Sequence, residues 1–220
     1  VNFLQMAKRL HSESANSTAA PASVASTNPR HVRYFNLLAD AWRELQLERD
    51  WRWMRATLDA TLTVDQQAYS GAALGAVGFR RWRKNDSTYS PYAYRDGSPN
   101  SLWPLEYWNL DDFRHLWVYR QLASSTPVAW TFDEQNNLLV GPKPSQAFKL
   151  RKEYWTAPTE LVNDGDSPNM PDEFHMIVVW TALQDIAITD SAQEILVKAT
   201  QRRASLYDEL LIDQARLPHL

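Results

Sequence analysis

The sequence predicts an α+β protein: a helical bundle built from the N- and C-terminal helices, with a central β-rich insertion. Three observations carry this. Apolar residues recur at helical spacing at both ends of the chain, and they alternate with polar ones through the middle. The change of period falls on Glu48-Arg49-Asp50-Trp51-Arg52-Trp53-Met54-Arg55. Two tryptophans two residues apart cannot share one helical stripe, but they can share a face of an extended segment. The chain is therefore expected to leave a helix here and anchor itself with two large rings. On this reading residues 1–55 and 171–214 are helical, 56–156 are β-rich and 215–220 are a tail, all within one domain.

Residues 2–13 read as a short helix, with Phe3, Met6, Ala7 and Leu10 on one side. Residues 12–29 are rich in Ser, Thr, Ala, Asn and Pro; they read as a linker or surface loop that could order on a partner. Asn28 caps and Pro29 opens the next helix, which runs to about Glu48 with Val32, Phe35, Leu38, Ala39, Trp42 and Leu45 as its stripe. Beyond the tryptophan pair, Leu58, Ala60, Leu62 and Val64 alternate with Thr57, Asp59, Thr61 and Thr63, the pattern of a half-buried strand. Gly71, Gly75 and Gly78 mark a loop or hairpin tip. Arg80, Arg81, Trp82, Arg83 and Lys84, then Tyr89, Tyr92 and Tyr94, form an irregular extended region.

Residues 102–108 read as extended, and Asn109 caps a short helix with Leu110, Phe113 and Trp117 inside. Residues 127–132 and 138–140 form a hairpin about 133–137. Phe148, Leu150, Lys152 and Tyr154 alternate with Lys149, Arg151, Glu153 and Trp155 in a further strand. Pro171-Asp172-Glu173 opens a helix that is apolar nearly all round to Thr189, and so buried on most sides. Ser191 and Glu194 offer a capping box for the last helix, whose stripe is Ile195, Ala199, Leu206 and Leu210.

With 44% hydrophobic and 22% charged residues in 220, the chain is globular rather than disordered. A net charge of −3 is a poor footprint for a protein that coats DNA. There is no cysteine, hence no disulfide framework and no thiolate site. The start lacks the apolar run of a signal peptide, and no stretch approaches the roughly 20 apolar residues of a membrane span. His11, His31, His115, His175 and His219 are not at metal-ligand spacing. The glycines of 71–78 do not follow a phosphate-loop pattern, and Asp164-Gly165-Asp166 lacks the rest of a calcium loop. No serine sits in a nucleophile elbow. Catalytic, cofactor-binding and metal-binding residues are therefore not expected, and no cofactor is. Ten tryptophans point instead to contacts between proteins.

Several segments together resemble the head-to-tail adaptor (connector) proteins of tailed bacteriophages. They are Asn2-Phe3-Leu4-Gln5-Met6-Ala7-Lys8-Arg9-Leu10, the helix ending Ala41-Trp42, and Asp50-Trp51-Arg52-Trp53-Met54-Arg55. Further on come Leu138-Leu139-Val140-Gly141-Pro142-Lys143-Pro144, Glu153-Tyr154-Trp155-Thr156-Ala157-Pro158-Thr159-Glu160-Leu161 and Pro171-Asp172-Glu173-Phe174-His175. The chain departs from the resemblance at Val24-Ala25-Ser26-Thr27-Asn28-Pro29, where a glycine is expected. The resemblance implies a virion structural protein at the head–tail junction, made in the host cytoplasm. It implies a homo-oligomeric ring, a dodecamer of about twelve copies, that binds the portal protein above and a tail or nozzle protein below. DNA would pass through the channel without sequence-specific binding, and no membrane is involved. Interface candidates are Trp51, Trp53, Arg80, Arg81, Trp82, Arg83, Trp180, Arg202 and Arg203, with Arg216 and Leu217 in a tail expected to touch the portal.

Two other readings compete with the adaptor. Arg80, Arg81, Trp82, Arg83 and Lys84 have the basic and aromatic make-up of a DNA-binding module, although a charge run of this kind is more often a solvated edge. An enzyme such as a virion-borne cell-wall hydrolase would need convergent carboxylates in a cleft.

Overall fold

The computed structural model describes residues 1–15, 17–83, 91–98, 100–120 and 122–215. In chain order its elements are α1 (Phe3–Glu13), α2 (Pro29–Glu48), β1 (Arg55–Leu62), β2 (Ala68–Tyr69), β3 (Phe79–Trp82), β4 (Tyr92–Arg95) and β5 (Trp103–Pro104). Then follow β6 (Glu106–Tyr107), α3 (Leu110–Phe113), β7 (Ala129–Phe132), β8 (Leu138–Gly141), β9 (Phe148–Thr156), α4 (Met176–Thr189) and α5 (Gln193–Ala215). The protein is α+β, with five α-helices and two sheets among the described residues. It divides into two compact units, one of Val1–Trp53 with Pro158–Leu220 and one of Met54–Ala157.

The helical unit is organised on α4. Ile177, Val178, Val179, Trp180, Ala182, Leu183, Ile186 and Ala187 are buried, and α1, α2 and α5 all pack against this helix. That is why its sequence is apolar on nearly every side. Asn2 and Gln5 form a capping box at the start of α1, and Phe3 meets the edge of Phe35 from α2 at 5.0 Å between ring centroids. Asn28 accepts from the Arg30 amide, with Pro29 at the first helical position.

The buried face of α2 is rotated from the expected stripe: His31 and Tyr34 are inside, while Val32 is 38% exposed. The cause is the segment between the helices, which lies across this side. His11 Nε2 donates to the Thr18 carbonyl at 2.9 Å and His31 Nε2 to the Ala19 carbonyl at 3.1 Å. The Ser26 hydroxyl reaches His31 Nδ1, and the Asp164 carboxylate accepts from the Val24 amide. The two histidines thus tie down a segment whose composition reads as an unattached loop.

Two further expectations need correction. Trp51 and Trp53 do not sit on an extended segment, because a 3₁₀ turn over Arg52–Met54 follows α2. They still act together: the rings stack at 4.7 Å with 11° between planes, and Trp51 Nε1 donates to the Leu45 carbonyl. Ser191 does not cap α5. It adopts a left-handed backbone with φ 54°, its amide returns to Ile188 and the Ala192 amide to Ala187. This is a Schellman ending for α4, and the carbonyl of Ala192 starts α5.

The β unit holds a five-stranded sheet in which β9 is central. It pairs antiparallel with β1 along one edge and with β4 and β3 in succession along the other, and β5 extends β4. The second sheet has the order β2-β8-β7-β6, antiparallel except for the parallel β6–β7 pair. The expected hairpin is β7–β8, and its turn is held by the Asp133 carboxylate accepting from the Gln135 and Asn137 amides. Both sheets contribute to one core, with Leu58, Leu62, Leu150 and Tyr154 from the first and Tyr69, Trp130, Leu138 and Val140 from the second. Val64 lies past the end of β1 and is exposed.

Lys152 occupies a core position of β9, opposite Leu58 of β1, and is only 2% exposed. Its ammonium donates to the Arg83 carbonyl at 2.7 Å and lies 3.7 Å from the centroid of the Trp130 ring. Burial pushes its pKa down to about 7, with Arg83 acting in the same direction and Glu153 against it.

Candidate functional site

The structure separates the interface candidates read from sequence. Trp51 and Trp53 form the stacked pair, with Tyr207 of α5 against the edge of Trp51 at 6.1 Å. Arg203 is held in place by Glu48 at 3.0 Å and by the Thr181 hydroxyl, with its guanidinium over Tyr207. In the β unit, Trp82 is buried and its Nε1 donates to the Asn136 carbonyl, so its ring is committed to the core rather than offered for stacking. Arg83 pairs with Glu153, which also takes Arg55 at 3.8 Å. Arg80 is half-buried and Arg81 exposed. Lys84, Tyr89, Arg216 and Leu217 lie outside the described residues.

The outer face of β1 and β9 carries ion pairs that run between strands. Arg151 pairs with Asp59 at 2.8 Å, and Lys149 donates to Thr61. Burial alone would raise the Asp59 pKa, but the hydrogen bonds from Tyr94 and Arg151 outweigh it and hold the carboxyl below its usual range. These are cross-strand pairs of the kind that support a sheet, with the cations Arg55, Arg83, Lys149 and Arg151 outnumbering the acids Asp59 and Glu153.

Trp180 and Arg202 are brought together. They share an open groove of about 570 Å³ within the helical unit. Its floor is Trp180 and Met176 of α4 with Leu206 of α5. Trp180 is 6% exposed, and the Lys198 ammonium lies 5.9 Å from the centroid of its ring. The rim is charged. Glu13 takes Arg9 at 2.7 Å and Lys198 at 2.6 Å, tying α1 to α5 across one side. Glu173 and Glu209 stand at the rim with Arg202 and Ser205. An apolar floor with a polar rim is the arrangement of a protein-binding groove. Among the described residues no group of acids and histidines is placed to hold a metal ion.

Sequence reading singles out Trp180 and Arg202 but misses Arg9, Glu13, Met176, Lys198 and Leu206. The groove draws on α1, α4 and α5, which are far apart along the chain. A local signal was available in α5, where Leu196, Val197, Leu211 and Ile212 add apolar surface beyond the Ile195, Ala199, Leu206 and Leu210 stripe.

An apolar-floored groove with a charged rim, carried by the helical unit, is the kind of surface that takes a partner protein. The SU10 adaptor protein family model matches residues 9–218, and the chain belongs to that family of bacteriophage head–tail structural adaptors. No curated protein matches the chain. No helix among the described residues is long and apolar enough to cross a membrane.

Proposed function

We propose that copies of this chain form a ring of about twelve at the head–tail junction of the virion, joining the portal to a tail or nozzle protein and extending the DNA channel. The observation that carries this reading is the family match over residues 9–218. On it, residues 1–220 work as a single adaptor domain: the helical unit is the bundle that presents docking surfaces, and the β unit is its insertion. The groove over Trp180 gives the helical unit a surface for a neighbouring protein. A net charge of −3 suits a channel through which DNA slides, because cationic linings bind phosphate. Trp53, Arg80, Arg81, Arg83 and Arg203 are further interface residues of this reading, whereas the buried Trp51 and Trp82 are not, and the tail with Arg216 and Leu217 contacts the portal.

The test is the light-scattering mass of the purified protein, alone and mixed with the portal ring of the same virion, with a DNA gel shift on the same samples. A portal-dependent rise to a stoichiometric ring without tight DNA binding is expected. No association with the portal, together with salt-sensitive binding of free DNA, would replace this reading with a DNA-binding one. Deleting residues 214–220 should abolish portal association if the tail makes that contact.

A further inference from the structure

Helix α5 is long yet poorly buried: of its 23 residues only Ala199 and Leu210 are inside. Glu194, Val197, Gln201, Ser205, Asp208 and Ile212 are all exposed and recur every three or four residues, so they form one outward stripe. Ile212 is 56% exposed and Val197 46%. Around Val197, Lys198, Gln201 and Arg202, a second, shallower depression of about 470 Å³ runs along the helix.

Charge on α5 is divided by position. Residues 193–204 carry Lys198, Arg202 and Arg203 against Glu194, whereas 205–215 carry Asp208, Glu209 and Asp213 and no cation. The last turn holds Asp213 without a base, the reverse of what the helix dipole favours. Local helix stability therefore does not explain the layout. Nor do internal pairs explain all of it. Arg203 and Lys198 have partners in Glu48 and Glu13, but Arg202, Asp208 and Glu209 make no ion pair among the described residues.

We propose that α5 docks on a second copy of this chain. The acidic second half of α5, with Ile212 among its acids, seats on Val197 and Arg202 in the first half of α5 of the next copy. The two halves are complementary in charge and sit on the same helix, so each copy has one of each. Such a contact is heterologous and repeats from copy to copy; if the rotation closes, it makes a ring. The inference rests on the ring reading above and adds to it which surface forms the lateral contact, and that charge selects it.

The test uses Arg202→Glu and Asp208→Lys/Glu209→Lys in the full chain, assembled on the portal ring and followed by native mass. Each variant alone should lose the ring, with lateral association weakened on the order of a hundredfold by like charges brought together. An equimolar mixture of the two restores every contact by alternation, and so does combining all three substitutions in one chain; both should recover the ring mass. That recovery separates a lost contact from a lost fold. If either variant forms the ring as the wild type does, or if neither the mixture nor the combined variant recovers it, the α5 contact is wrong while the ring stands. If the wild type forms no ring with the portal, the ring reading itself fails and the contact with it. A species that stops at a dimer would mean two-fold antiparallel pairing of α5, and would overturn the head-to-tail contact.

Discussion

At Lys152 the alternation along β9 and the nature of the side chain disagree. Its position faces the core, and the ammonium is accommodated there by the Arg83 carbonyl and the face of Trp130. A ring face favours the charged form, while burial disfavours it and dominates, holding the pKa down to about 7 from an ordinary 10.5. Between those two values the unfolded chain binds more protons than the folded one. Stability from this group therefore rises with pH across that window and is flat below about 7. Lys152→Met removes the titration. The unfolding free energy of the wild type minus that of the variant, from urea melts at a series of pH values, should climb from about pH 7 to about pH 10. A difference that does not change with pH would contradict the burial of a titrating amine. Gly141 constrains the same unit by close packing: a Cβ there would lie 2.7 Å from Trp117 Cγ and 3.0 Å from Phe113 Cε2. Gly141→Ala should cost about 1–3 kcal/mol, read as a lower urea midpoint with an unchanged slope.

At the scale of elements, the α4–α5 junction separates two accounts of one serine. As a helix N-cap, Ser191 would lose a few tenths of a kcal/mol on replacement by glycine. As the left-handed residue that ends α4, with φ 54°, it should gain about 0.5–1 kcal/mol from Ser191→Gly. That is a rise of roughly 1–4 °C in melting temperature; a fall would restore the capping box.

What sequence makes legible here follows from how local each determinant is. The caps at Asn28 and Asn109, the period of β1 and β9 and the apolar wrap of α4 are set within a few residues, and all appear where expected. The inward turn of His31 is not, because it depends on the carbonyl of Ala19 arriving from another segment. The strand order is not legible either: β9 collects β1, β3 and β4 from across the unit, and the parallel pairing of β6 with β7 leaves no mark on period two. The candidate site was half legible for the same reason. Trp180 and Arg202 attract notice as single residues, but their groove exists only once α1, α4 and α5 meet.

At the scale of the molecule, charge and apolar surface are distributed differently. On the β1–β9 face the pairs Asp59–Arg151 and Glu153–Arg83 cancel locally. On α5 the charges are sorted by sign along the helix, and the apolar groove lies beside them. Pairs of the first kind hold neighbouring strands together. A surface of the second kind selects a partner and an orientation. The sorted charge of α5 is the property on which the proposed contact between copies depends.

The central claim is the ring beneath the portal, and the most direct measurement is a cryo-electron microscopy reconstruction of the virion neck. The account predicts a closed ring of this chain in contact with the portal on one side and a tail component on the other, with α5 between neighbouring copies. Density for this chain away from the portal, or as isolated copies that do not touch one another, would contradict it.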